Sequence, residues 1–355
     1  MLKIFIVFVL LVGLMPKKSR QIVFLKASML IYFVMIGFRN QYCYKDTIRY
    51  VEKYTALLKV SFWNVGDFET KDVGFHYFSK ITQLFTFGNY TLWFILLAVM
   101  YVYPLYRLLK KYSYDYQISL LVFIILGFMF FSLTGIRQTL AMSFTMGALY
   151  FLLDKKWKWF ILCVLIAPLF HKTAAVFLIA LPLSLLPFNK KMVILYISGF
   201  IILFKMLQPL IELMVLMEDG GRFKTYENAD GGLNNTGLII QSCIYLGSWF
   251  MLGEQRGEKI NQMLLSIGLF GVLFQSMSGI VAEMFRISMY FSISCVILFA
   301  NAISVFSQRM KIPIFKFGVV ALFGLYLIGI SDSFSWDYYF FFEEPPISAY
   351  FKLIN

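Results

Sequence analysis

The chain has 355 residues, 60% of them hydrophobic and 14% charged, with mean hydropathy +0.75 and 40 phenylalanines. Soluble domains run nearer 45–50% apolar and about 25% charged, so this composition excludes an ordinary soluble enzyme, a disordered chain and a disulfide-rich secreted domain. In a soluble protein a net charge of +13 would point to nucleic acid; in an integral membrane protein, cationic loops retained in the cytoplasm give the same surplus and imply no nucleic-acid partner.

In chain order, apolar runs that suit spans of roughly 17–25 residues fall at 2–15, 22–38, 89–106, 116–133, 136–153, 159–170, 173–187, 192–208, 237–253, 260–280, 284–303 and 313–331. They predict an all-α, polytopic membrane protein of about twelve transmembrane helices in a single membrane domain, 1–355. The first run follows Lys3, lacks a small-residue cleavage site and ends at Pro16, Lys17, Lys18 and Arg20, so it is expected to be a retained span and not a secretory signal. Cys43, Cys163, Cys243 and Cys295 are scattered without C-x-x-C spacing and suggest neither a disulfide framework nor a metal site.

The connecting segments alternate in character. One set is short and basic, at 17–21, 107–115, 154–158, 188–191, 254–259 and 304–312. The other holds two long polar loops, 39–88 and 209–236, tight turns near 134–137 and 171–172, the segment 281–286 and the tail 332–355. The positive-inside rule places the basic set in the cytoplasm and both termini, with every long loop, outside. The whole surplus of +13 then lies on the basic side. Splitting 159–187 at His171 into two short spans keeps Lys190, Lys191, Arg256, Arg309 and Lys311 on that side; twelve residues reach only about 18 Å, so the His171 turn is expected to be recessed.

Within 39–88, Ile48, Val51, Thr55 and Leu58 share one helical face, and Gly74, Tyr77, Phe78, Ile81, Leu84 and Phe85 form a second stripe of 3/4 spacing. Both predict amphipathic helices on the membrane surface. Gly220-Gly221 and Gly231-Gly232 around Arg222, Lys224 and Tyr226 predict an outer mobile loop over 209–236. Nine aromatics between Phe334 and Phe351 suit an interfacial aromatic belt or a sugar-stacking surface.

Polar residues inside apolar runs carry the functional signal, because an arginine at a helix centre costs roughly 2.5–3.5 kcal/mol on insertion scales. Arg137-Gln138, His171-Lys172 and Arg286 all fall at outer turns of the predicted topology. Each also has a structural reading: Arg137 as a snorkelling headgroup anchor, His171 as a helix cap, Lys172 as an interfacial anchor, and Arg286 paired with Glu283 one turn away. Together with Arg222, three guanidiniums and an imidazole at one face suit a diphosphate, which arginine binds bidentately. Asp46 and Asp72 stand where two helices begin, as helix-terminus carboxylates or as acceptors for substrate hydroxyls. His76 is expected on the apolar side of its surface helix, at headgroup level. With no D-x-D and no clustered His and carboxylate ligands, neither a metal nor another cofactor is implied.

Several stretches together carry a family resemblance. Asp46 with Tyr50, Asp72-Val73-Gly74-Phe75, Gly135-Ile136-Arg137-Gln138, Phe170-His171-Lys172-Thr173-Ala174, Arg222-Phe223 with Tyr226, and Arg286 with Tyr290-Phe291 follow in order. Over residues 46–291 the chain resembles the EpsG-like group of Wzy-type polysaccharide polymerases, departing from it at Val73, where a proline is usual, and in the tail. The resemblance implies a GT-C-type glycosyltransferase of the bacterial cytoplasmic membrane, acting at the outer face on undecaprenyl-diphosphate-linked glycans as donor and acceptor, alongside membrane lipid and a chain-length-regulating co-polymerase. It makes His171, Arg137 and Arg286 the expected catalytic set, with Gln138, Arg222, Tyr226, Lys172, Asp46, Asp72 and Tyr290 binding substrate. From other classes, a lipid-linked oligosaccharide flippase or transporter would spread polar residues to mid-membrane, and a membrane acyltransferase modifying surface glycans would show reactive groups on the cytoplasmic side. Here the polar residues crowd one face.

Overall fold

The computed structural model describes residues 2–12, 18–69, 72–217, 231–278, 281, 284–311, 314–331 and 338–345. Among them the chain is all helical, and the one β-bridge joins Arg39 to Phe340. Helices α1 (Leu2–Val12) and α2 (Lys18–Gly37) lead into α3 (Lys45–Ala56), α4 (Val65–Phe68) and α5 (Val73–Thr86) of the first long loop. Then follow α6 (Tyr90–Tyr112), α7 (Tyr116–Ile125), α8 (Phe128–Thr134), α9 (Ile136–Leu153), α10 (Trp157–Ile166) and α11 (Ala180–Leu185). The last five are α12 (Lys190–Met217), α13 (Gly231–Leu252), α14 (Lys259–Ser276), α15 (Met284–Met310) and α16 (Ile314–Ser331).

Three helical stretches among the described residues are long and apolar enough to cross a bilayer: Tyr90–Tyr112, Thr236–Gly257 and Met284–Met310. Helices α7 and α8 make a fourth if taken as one span, although they bend by 55° at Leu126–Gly127, where Gly127 adopts φ +80°. Shorter apolar helices cover Gln21–Gly37, Trp157–Leu169, Lys172–Leu185 and Phe315–Leu327. The chain between α10 and α11 breaks at His171, whose backbone is extended, with 3-10 turns at Ala167–Leu169 before it and Lys172–Ile179 after it. Eight residues of 3-10 helix is long for that geometry, whose hydrogen bonds are poorer than those of an α-helix.

Helix α15 is the centre of the bundle, buried along most of its length against α14, α13 and α7. A second group forms where α6 packs between α2 and α9, with α10 on the far side of α9. Helix α12 runs on to Met217 and α13 starts at Gly231, so helix occupies both ends of the predicted loop 209–236. Arg222, Lys224 and Tyr226 lie outside the described residues.

The first long loop is helical, with the predicted stripe of α5 on its outward face and that of α3 divided between buried and exposed positions. On α3 the buried residues are Thr47, Val51 and Tyr54, while Thr55 and Leu58 of the predicted stripe are exposed. Tyr54 stacks on Trp93 of α6 at 4.4 Å, and Gln83 of α5 donates to its carbonyl, which fixes the α3–α5–α6 junction. On α5 the polar face is the inner one: His76, Ser79, Thr82, Gln83 and Thr86 are buried, whereas Ile81, Leu84 and Phe85 are exposed. An apolar face turned outward is the arrangement of a helix bathed in lipid.

Of the aromatic tail, residues 338–345 are described, and they strap the end of α2. Phe341 N–H donates to the Phe38 carbonyl, Asn40 N–H to Tyr339, and the Tyr338 hydroxyl to the Met35 carbonyl. Beneath the strap, Arg39 is 1% exposed, its guanidinium 4.4 Å from the Phe94 ring centroid.

Candidate functional site

Three segments that are far apart in sequence meet at one carboxylate. Asp72 immediately precedes α5 in the left-handed conformation, φ 55° and ψ 48°, and its side chain is 2% exposed. It makes no cap bond to its own helix, so the helix-capping reading fails for Asp72. Its Oδ2 instead lies 3.3 Å from Arg137 Nη1 at the start of α9 and 3.5 Å from His171 Nδ1. Asp46, by contrast, sits exposed in the first turn of α3, where a carboxylate favours the helix dipole.

Small residues make the meeting possible. A Cβ on Gly74 would stand 2.5 Å from the Leu169 carbonyl oxygen, so glycine lets the first turn of α5 touch the 3-10 turn that leads into His171. A Cβ on Gly135 would stand 2.5 Å from the Phe131 ring, so the last turn of α8 folds tightly onto α9 and delivers Arg137. Phe170 wedges the histidine turn in place, stacked on Phe144 at 5.2 Å and edge-on to Phe78 at 5.6 Å.

Sequence reasoning missed half of the cluster. Glu69 lies 3.7 Å from Arg137 Nη1 through Oε1, while its Oε2 is 2.6 Å from Lys53 Nζ and 3.0 Å from His76 Nε2. His76 is 1% exposed and faces the protein, not the headgroups as predicted. The available signal was its helical register with Ser79, Gln83 and Thr86, a polar face on a helix beside a membrane. Lys53 projects from α3, and the ring centroid of Tyr50, one turn earlier, is 5.8 Å from Arg137 Cζ.

Two carboxylates therefore face two permanent cations, Lys53 and Arg137, and two imidazoles. Burial alone would raise the Glu69 pKa, but the Lys53 hydrogen bond and the charges of Lys53, His76 and Arg137 outweigh it and hold the carboxyl below its usual range. Burial pushes the His76 imidazole below its usual value, an effect that Glu69 offsets only in part. His171 is buried, and neither ring nitrogen has a hydrogen-bond partner among the described residues; Nδ1 is the one that faces Asp72, at ion-pair and not hydrogen-bond distance. An imidazole that faces a carboxylate through one nitrogen and carries an uncommitted nitrogen on its other side can take a proton from a group brought against it.

Two more of the predicted residues, Arg286 and Tyr290, stand on the first turns of α15. Gln138 Nε2 donates to the Arg286 carbonyl at 2.9 Å, which ties the Arg137 turn to the start of α15. The hydroxyls of Thr173 and Tyr290 are 3.2 Å apart, which ties the His171 turn to the next turn of the same helix. Lys172 points away and is exposed. Glu283, the expected partner of Arg286, lies outside the described residues, as do Arg222 and Tyr226. No group of three His, Cys, Asp or Glu side chains among the described residues is arranged to hold a metal ion.

The fold is that of a helical membrane protein, with a cluster of carboxylates, imidazoles and cations assembled from the first long loop and the turns at Arg137 and His171. The chain belongs to the EpsG family, whose sequence profile matches residues 22–342. Comparison with curated proteins and with solved structures gives no match.

Proposed function

We propose that the chain is a polymerase that joins undecaprenyl-diphosphate-linked oligosaccharide repeat units by metal-independent, GT-C-type glycosyl transfer at the outer face of the bacterial cytoplasmic membrane. Family membership and the helical membrane architecture support a Wzy-type polymerase role in general. The observation that carries the chemistry is the single Asp72 oxygen shared by His171 and Arg137.

In this reading Asp72 orients His171, and the unpartnered Nε2 takes the proton of the acceptor sugar hydroxyl as the hydroxyl oxygen attacks the anomeric carbon of the donor. The bond from that carbon to the diphosphate oxygen breaks, and the lipid diphosphate leaves with the electron pair. Diphosphate departs without protonation when its developing charge is held. Arg286 and Arg222 are assigned to that task. Arg137 also borders the site, but its charge is already matched by Asp72 and Glu69, so its part is to hold the aspartate in place. Tyr290, Tyr226, Lys172 and Asp46 are assigned to substrate sugars. The twelve-span topology with both termini outside, and a chain-length-regulating partner, belong to the same proposal.

The test is purified protein incubated with lipid-linked repeat unit, with and without chelator. Wild type is expected to give a ladder of multimers in both conditions, and His171→Ala to leave single units while still inserting into the membrane. Passage of the intact unit across a vesicle membrane without any ladder would establish a transporter instead.

A further inference from the structure

The break between α7 and α8 opens a space that the chemistry above leaves unused. A Cβ built on Gly127 meets no atom within 4 Å, and the gap continues into a cavity of about 260 Å³ bounded by α7, α8, α13, α14 and α15. One wall is aromatic, formed by Phe128, Phe131 and Phe285. The lining also carries Gln241, Ser288 and Ser292, which are 4%, 1% and 3% exposed. Gln241 Nε2 donates to Ser292 Oγ at 2.6 Å, and Ser288 donates to the Gly271 carbonyl at 2.7 Å. Gly271 makes room for this line, since a Cβ there would stand 2.6 Å from Ser292 Oγ. Polar groups held inside a membrane bundle are costly and tend to mark sites of function.

The cavity begins beside the proposed diphosphate site. Phe285 and Met289 line it, and Arg286 lies between them on the first turns of α15. From Phe285 to Ser292 the helix rises only about 10 Å. The lining positions of α15 therefore all lie within about 10 Å, roughly the length of one sugar ring with its linkage, of the turn that carries Arg286. No charged side chain is among the described lining residues, which argues against the diphosphate itself. The amide and hydroxyls of this line bond to one another and to backbone, and an isoprene unit could not engage the acceptor lone pairs they have left. A pyranose has both surfaces, a C–H face for aromatic rings and an edge of hydroxyl or acetamido groups for amide and hydroxyl side chains. The volume lies just below the ~300 Å³ at which small-molecule sites begin, so it suits one ring and not an oligosaccharide.

We propose that this cavity is a sugar subsite, which takes the pyranose joined directly to the lipid diphosphate and so selects the repeat unit by its first sugar. The inference rests on the reading of the substrate as a lipid-diphosphate-linked glycan.

The experiment compares dissociation constants of the detergent-solubilised full chain for farnesyl diphosphate alone and for farnesyl diphosphate bearing glucose, galactose or N-acetylglucosamine. At least one sugar is expected to tighten binding about tenfold. Gln241→Leu and the milder Ser292→Ala are expected to lose that gain while keeping the affinity for farnesyl diphosphate, which also reports that they are folded. Equal constants for all four ligands in wild type, or a gain that survives both substitutions, overturns the subsite and leaves the diphosphate reading standing. No binding of farnesyl diphosphate overturns both.

Discussion

Asp72 holds a backbone conformation that non-glycine residues adopt at a cost of order 1–3 kcal/mol and that persists where surrounding contacts over-determine it. Aspartate tolerates it better than most residues because its short polar side chain bonds locally. Here the strain aims one oxygen at both His171 and Arg137. Asp72→Asn keeps the size and the backbone tolerance but removes the charge that orients the imidazole, so polymerisation in the purified assay is expected to fall about a hundredfold or more. Near-normal turnover in that variant would remove Asp72 from the mechanism. Glu69 and His76 add a pH dependence of their own. Glu69 titrates below the 4.5 of an ordinary glutamate in the folded protein, so its contribution to stability is present above about 4.5 and is lost as pH falls through the lower folded value. His76 is likewise depressed below 6.5, so unfolded chains bind more protons just under that pH and stability again falls on acidification. Both groups act in the same direction. Amide protection factors around α4 and the start of α5 are expected to fall from about pH 6.5 downward; Glu69→Gln should abolish the lower part of that response and enlarge the upper part, because His76 then loses the charge that offsets its burial.

At the scale of elements, the docking of α5 on the 3-10 turn at Ala167–Leu169 sets where Asp72 stands. Gly74→Ala places a methyl against the Leu169 backbone, which cannot retreat as a flexible side chain can. We expect a destabilisation of about 1–3 kcal/mol, as in other overpacked contacts, together with loss of polymer while the protein still inserts. Polymer of normal length from a stable Gly74→Ala protein would show that α5 positions nothing catalytic. This element also shows what a pattern of apolar residues can and cannot say. Helices α3 and α5 were legible from their spacing, but spacing does not tell which face is inner. The exposed Leu84 and Phe85 suit the membrane-surface helix that the stripe suggests, whereas His76, assigned to the apolar side, falls on the buried polar face with Ser79 and Gln83. The turns at Arg137 and His171 were legible because charge is expensive in apolar runs. The break at Gly127 was not, since a single glycine among apolar residues carries no such penalty. Glu69 and Lys53 were hidden because they lie in a polar loop, where charge is ordinary; only the fold brings them to Arg137.

At the scale of the molecule, helix α9 links the candidate site to the basic side of the chain. Arg137 stands at its first turn, and at its other end Asp154 is ion-paired with Lys111 of α6, near Arg107, which donates to Tyr150. Eighteen residues of helix rise about 27 Å, close to the ~30 Å of a hydrocarbon core. The two ends of α9 thus stand about 27 Å apart, and in the proposed topology the cluster and the Lys111 loop lie on opposite sides of the membrane. Basic loops are retained in the cytoplasm, so reporters fused after Lys111, Lys158 and Arg309 are expected to score as cytoplasmic. Trp63, in the turn before α4 and 85% exposed, belongs to the same loop as Glu69 and Asp72. In a background with Cys43, Cys163, Cys243 and Cys295 replaced by alanine, Trp63→Cys should react with a membrane-impermeant maleimide in intact cells whose outer barrier has been opened. Reaction only after the cytoplasmic membrane is permeabilised would put Asp72, Arg137 and His171 on the inner side. Joining of exported lipid-linked units by these residues would then be excluded, whatever the activity of the purified protein.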